Sequence, residues 1–289
     1  MRARLEQVGS AFVRGYHAAL EEPETPALAG RLKELPSEFR GFAFEGAGMA
    51  LALLDWLTPW RRDRFAAFLR TAGDGHAYMV HVGAGWVWAR LPVNVPRAME
   101  RLDPLLRWLA LDGFGFHEAF FKWPSYLNNG APPKRLTGYA ARAFDQGFGR
   151  CLWFVDGGNV GLIPRTIAGF AAARQADLWS GLGLAVTYAG EATAEGLSHL
   201  RDSAGPCQPQ LAQGSVFAAK ARQRAGNLTA YTDRATRVFC GLSANEAAQV
   251  ADASLENLPR DGAEPAYEIW RQRIQAHFQP SRSLVRSSG

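Results

Sequence analysis

Two histidines and two carboxyls recur along this chain at one interval, and they are residue types from which acid–base chemistry is built. Gly15-Tyr16-His17-Ala18-Ala19-Leu20 returns 100 residues on as Gly115-Phe116-His117-Glu118-Ala119-Phe120, and Ala43-Phe44-Glu45 returns as Ala143-Phe144-Asp145. An imidazole exchanges a proton near neutral pH, and a desolvated carboxyl is pushed toward doing the same. A repeat builds two like halves with a pseudo-twofold seam, so His17, His117, Glu45 and Asp145 could converge there. The plainer reading is scaffold, each histidine and carboxyl bridging helices inside its own copy. In a third reading His17 and His117 approach a haem from opposite sides as axial ligands.

Other histidines break the symmetry. His76 and His81 have Ala176 and Gly181 at the same offset. Five residues turn a helix by about 500°, so these two side chains point roughly 140° apart and cannot share one metal from a straight helix. His81, with Tyr78 and Asp74 near it in sequence, is a proton-transfer candidate, and His117 has Glu118 and Asp112 as possible helpers. The expected catalytic set is therefore His117, His81, Glu45 and Asp145. Arg90, Arg142 and Arg150 lie among small residues and could neutralise Glu45 or Asp145, or hold a substrate carboxylate.

The familiar catalytic signatures are absent. The chain has no HExxH, no GxSxG, no phosphate-binding glycine loop followed by Lys-Ser/Thr, no DDxxD and no ExxH pair. Its aromatic content is high, with 17 Phe, 9 Trp and 7 Tyr in 289 residues. That many rings either fill a core or line a pocket for a large apolar or conjugated ligand. For the pocket, the expected contacts are Trp86, Phe116, Trp153 and Trp179, with Arg150. The net charge of +5 comes from arginines scattered along the whole chain, which argues against a nucleic-acid partner. Three widely spaced cysteines suit a reducing cytoplasm. The N-terminus lacks the apolar core of a signal peptide, and no run reaches about 18 apolar residues, so no membrane span is expected.

Apolar periodicity near 3.6 predicts an all-α fold: two tandem helical repeats of about 100 residues (1–100 and 101–200) packed pseudo-symmetrically, then C-terminal helices over 201–278. These form a single helical domain over 1–278, followed by a flexible tail at 279–289. Phe39–Leu57, His76–Leu91, Pro104–Trp123, Gly138–Phe154 and Asp177–Ala189 are the principal helices. Val80–Trp88 alternates as a strand might, but helix suits both copies better. Residues 124–137 read as a lid or link, and Ser243 to Glu246 as a capping box. Glycines recur inside the helices at Gly46, Gly48, Gly83, Gly85, Gly181 and Gly183, and Asp112-Gly113-Phe114-Gly115 marks a kink or a close helix approach. Each lowers helix stability, which close helix packing or room for a bulky ligand would offset.

Several long runs carry a family resemblance. Phe39 to Ala47 (FRGFAFEGA), His81 to Trp86 (HVGAGW), Leu111 to Glu118 (LDGFGFHE), Phe144 to Arg150 (FDQGFGR), Asp177 to Ala185 (DLWSGLGLA) and Ala212 to Arg222 (AQGSVFAAKAR) resemble the bacterial domain-of-unknown-function 1702 family over roughly residues 10–278. Members of that family are encoded beside the polyketide synthases of enediyne antibiotics and in other natural-product clusters. The resemblance implies an accessory role in secondary metabolism, a cytoplasmic location and an apolar unsaturated substrate. It carries no catalytic residues across.

The combined expectation is a tailoring enzyme of enediyne or polyketide-type biosynthesis. It would bind a long conjugated apolar chain and promote isomerisation, cyclisation or oxidation. A non-catalytic protein that shields a reactive polyene, or hands it to other biosynthetic proteins, is the alternative; a haem or iron protein is another.

Overall fold

The computed structural model describes residues 1–126 and 130–279. The expected tail, from residue 280 onward, and residues 127–129 of the expected lid lie outside the described residues. The remainder folds into sixteen α-helices with no strand among the described residues. They are α1 (Arg2–Glu21), α2 (Thr25–Lys33), α3 (Arg40–Leu57), α4 (Arg64–Leu69), α5 (Ala77–Arg90), α6 (Val95–Met99), α7 (Trp108–Phe121) and α8 (Trp123–Tyr126). Then follow α9 (Tyr139–Val155), α10 (Ile163–Ala168), α11 (Ala172–Ala189), α12 (Ala194–Ser203), α13 (Gln208–Arg224), α14 (Ala230–Cys240), α15 (Ala244–Ala253) and α16 (Ala266–His277). The all-α expectation holds, and Val80–Trp88 is helical. The capping box forms as read: Ser243 accepts from the Glu246 N–H while the Glu246 carboxylate accepts from the Ser243 N–H.

Seven helices make a row in which α1, α3, α5, α7, α9, α11 and α13 each pack on the next. Their glycines explain the order. Two residues apart on an α-helix lie about 200° apart, so a Gly-x-Gly offers one bare backbone edge to each neighbour. Five consecutive row helices carry one: Gly46/Gly48, Gly83/Gly85, Gly113/Gly115, Gly147/Gly149 and Gly181/Gly183. A Cβ on the first glycine would strike a carbonyl of the preceding helix: Phe12 for Gly46, Glu45 for Gly83, Val82 for Gly113, Asp112 for Gly147 and Gln146 for Gly181. A Cβ on the second would strike the following helix, as Gly115 does at Phe144 and Gly149 at Leu178. Gly15 and Gly214 complete the outermost contacts. These glycines therefore serve close packing. Each forfeits about 1 kcal/mol of helix propensity, offset by backbone-to-backbone contact along every interface.

The same pattern resolves the 100-residue echo. The first glycines, Gly46, Gly83, Gly113, Gly147, Gly181 and Gly214, follow at intervals of 30 to 37 residues. The echo is thus three turns of a shorter unit. Superposing the units pairs Gly46 with Gly147 and Gly83 with Gly181. Glu45 then corresponds to Gln146, and His81 to Trp179. Asp145 stands one residue out of register with Glu45, which on a helix is a rotation of about 100°.

The row curls until its ends touch. Arg222 on α13 donates to the carbonyls of Glu38 and Tyr188, Asn227 donates to Ser37, and Arg4 on α1 reaches both the Ala189 carbonyl and Glu38. The residue before each first glycine, with the residue four further on, faces the inside of this curl. These pairs include Glu45 and Met49, Val82 and Trp86, Asp112 and Phe116, Gln146 and Arg150, and Gln213 and Phe217. Short helices cover parts of the opposite face: α4 packs on α3, α8 on α7, and α10 on α9 and α11.

Candidate active site

Glu45 stands on the inner face of α3 and is 3% exposed. The Trp86 indole on α5 donates to Glu45 Oε1 at 3.0 Å, and the Arg150 guanidinium on α9 lies 3.7 Å from the same oxygen. Arg150 donates from Nε to Asp112 Oδ1 on α7 at 2.8 Å, with its guanidinium 4.6 Å above the Phe116 ring. Four successive inner-face helices thus bring two carboxyls to one cation. All three ionic groups are buried.

The charge balance decides the chemistry. Asp112 and Arg150 form the shorter contact and neutralise each other. Glu45 holds the weaker claim on the guanidinium. Burial pushes its carboxyl up to about 7, against the pull of Arg150 and the Trp86 hydrogen bond, with the Asp112 charge adding to the rise. Burial raises Asp112 as well, opposed by Arg150. A carboxyl that titrates near 7 is half-protonated at neutral pH, so it can give a proton or take one.

This group borders a cleft of about 620 Å³. The walls are aromatic: Phe42, Trp86 and Phe116 beside Glu45, Phe120, Phe121 and Phe154 toward the mouth, and Phe12 facing them from α1. Phe12 lies 4.5 Å from Trp86, and Trp86 lies 5.4 Å from Phe116, ring centre to ring centre. The opposite wall is α1, through Leu5, Val8, Gly9 and Val13. Phe120, Phe121 and Val13 remain exposed at the rim.

Of the residues expected from sequence, Glu45, Trp86, Phe116 and Arg150 come together here. The others do not join the Glu45–Arg150–Asp112 group. His117 sits beside Trp86, 5.5 Å between ring centres, and its Nε2 takes a 2.6 Å hydrogen bond from Arg90. Burial, with Arg90 and Lys122 adding to it, lowers its pKa to about 4 and keeps the ring neutral. His81 turns to the outer side of α5, where Nδ1 bonds the Ala77 carbonyl and the ring meets the edge of Phe65. Asp145 also faces outward and pairs with Arg174, a residue on α11. Trp153 is fully buried and donates to the Gly190 carbonyl. Trp179 is buried at the outward position of α11 equivalent to His81. His17 is exposed on α1, whereas the His117 nitrogen nearest Arg90 is already occupied. The repeated His and carboxyl pairs therefore do not share a seam. Among the described residues no cluster of three or more His, Cys, Asp or Glu is placed to hold a metal ion.

Asp112 is the site residue that sequence reading left in a lesser role, as a helper of His117. The signal was present: like Glu45, it is an acid immediately before the first glycine of its pair. The α1 wall and the phenylalanines at the mouth carried no comparable mark.

A family model described as "Protein of unknown function (DUF1702)" matches residues 1–278. The chain belongs to that family. No curated protein and no solved structure matches it.

Proposed function

We propose that this DUF1702 protein is an acid–base enzyme acting on a long apolar, conjugated molecule of natural-product biosynthesis, held in the aromatic cleft with Glu45 as the proton-transferring group. One observation carries the reading: a buried carboxyl that titrates near 7 opens into an aromatic-walled cavity of about 620 Å³. Conjugated chains bind such walls by stacking and apolar burial. Proton delivery to a double bond, or removal from an adjacent carbon, shifts or closes a polyene without any external oxidant. Arg150 steadies the negative charge that Glu45 acquires on giving up its proton. Asp112 orients Arg150, and Trp86 fixes the carboxyl rotamer. A cytoplasmic setting beside other biosynthetic enzymes agrees with three free cysteines and with the absence of any described helix long and apolar enough to cross a membrane.

The test is what co-purifies with Glu45→Gln. Mass and absorption spectra should show a bound apolar conjugated molecule that accumulates on the variant. Product formation in the producing cells should drop by about 100-fold or more, the usual weight of a general acid–base group. Normal product levels with Glu45→Gln would leave the cleft a binding or shielding site and contradict the enzymatic reading.

A further inference from the structure

A second recess lies on the opposite side of the row, independent of the aromatic cleft. It measures about 430 Å³ and is framed by α3, α4, α5 and the segment from Pro92 to Leu102. The repeat explains it. The residue between the paired glycines points outward, and in α7, α9 and α11 it is Phe114, Phe148 and Leu182, each fully buried. In α5 it is Ala84, which lines the recess. In α3 it is Ala47, itself buried, so where three row helices fill their outer face with a large side chain, the adjoining α3 and α5 carry alanine and the space between them and α4 is left open.

The floor is apolar, from Phe65, Ala84, Val87 and Leu102. The rim is cationic, with Arg62, Arg97 and Arg101 all exposed. No carboxylate of the described residues forms an ion pair with these three, whereas neighbouring Arg61 pairs with Glu24 and Arg64 with Asp55. The acid in the lining, Asp55, is already committed. It accepts from the backbone N–H groups of Arg64 and Phe65 and from the Arg64 side chain. An apolar trough edged by three unpaired guanidiniums matches an apolar chain that ends in an anion.

We propose that this recess is a second ligand site that takes an anionic amphiphile, its chain on the Phe65–Ala84–Leu102 floor and its carboxylate or phosphate among Arg62, Arg97 and Arg101. The probe is laurate, with dodecanol as the chain without the charge and inorganic phosphate as the charge without the chain. Binding is read by calorimetry on the full chain. Laurate should bind at least 10-fold more tightly than dodecanol, and inorganic phosphate should bind weakly. Arg97→Ala/Arg101→Ala changes only exposed side chains and should weaken laurate at least 10-fold. Ala84→Phe should abolish this site by filling the floor. Glu45→Gln, in the other cleft, should leave laurate binding here within about 2-fold. Dodecyl phosphate competing with laurate would assign phosphate-ended chains to the same site, and failure to compete would restrict it to carboxylates. Laurate affinity unchanged in Arg97→Ala/Arg101→Ala, or dodecanol equal to laurate, overturns the proposal.

Discussion

In the second half of the row, α16 lays Tyr267, Trp270 and Arg271 against the inner faces of α9, α11 and α13. In the first half, the inner faces of α3, α5 and α7 border the aromatic cleft. The helix lattice is the same on both sides, with the same paired glycines, so the difference lies in what meets the inner face. Gln146 bonds Tyr267, and Ser180 donates to Gln213, which also accepts from Arg271. Phe217 packs 4.5 Å from Trp270. The ionic groups there balance two against two: Arg271 contacts Asp177 and Glu268, and so does Arg142. The open half holds Glu45 and Asp112 against Arg150 alone. A proton must make up the difference. The filled half is built for stability; the open half keeps an acid whose charge is undecided at neutral pH.

The sharpest way to break this contrast is in the filled half. Arg271→Met leaves two buried carboxylates sharing Arg142 alone and should cost about 3–5 kcal/mol in urea unfolding, as loss of one partner of a buried ion network does. If that variant unfolds like the parent, the network is not holding α16 in place.

The next effect belongs to the open half and depends on pH. The Glu45 carboxyl is raised from an ordinary 4.5 to about 7 in the folded state. Its stabilising contribution is therefore complete below about pH 4.5 and is lost as pH rises through 7, by about 3 kcal/mol in all. Glu45→Gln should lack that decline, so the variant gains on the parent as pH goes from 5 to 8. His76 and His117 act in the opposite sense. Burial lowers both to about 4, so their contribution is complete above about pH 6.5 and is lost as pH falls toward 4. Parallel pH profiles for Glu45→Gln and the parent would contradict the first assignment.

Gly83→Ala and Gly181→Ala probe what the two halves share. Each Cβ meets the carbonyl of the preceding helix, and overpacking of this kind costs about 1–3 kcal/mol. The two losses should agree, because these glycines are equivalent in the short repeat. A large loss in one and none in the other would break the equivalence. The smallest effect on stability is at the mouth. Phe120→Ser with Phe121→Ser removes two half-exposed rings and should cost about 1 kcal/mol. It should still weaken binding of the fluorescent polyene diphenylhexatriene.

The sequence made the helices legible because periodicity and capping are local. The capping box at Ser243 and the helices bearing paired glycines appear where the pattern puts them. The echo was also visible, but its unit was not. An offset of 100 nearly equals three shorter repeats, and a slip of one or two residues turns a side chain to the other face of a helix. That slip separated Glu45 from Asp145 and placed His81 outside. Trp86, Phe116 and Arg150 were recognisable by residue type alone. Asp112 needed the inner-face register, and Phe12, Phe42 and Phe154 needed the curl of the row, which rests on contacts such as Arg222 to Glu38 between residues 184 positions apart.

The most direct measurement is an infrared titration of the parent protein against Glu45→Gln. The account predicts a buried carboxylic-acid carbonyl band that disappears with a midpoint near pH 7 and is missing from Glu45→Gln. A parent whose spectrum shows Glu45 ionised at pH 5, or whose band survives in Glu45→Gln, would contradict the claim that this carboxyl is the cleft's proton carrier.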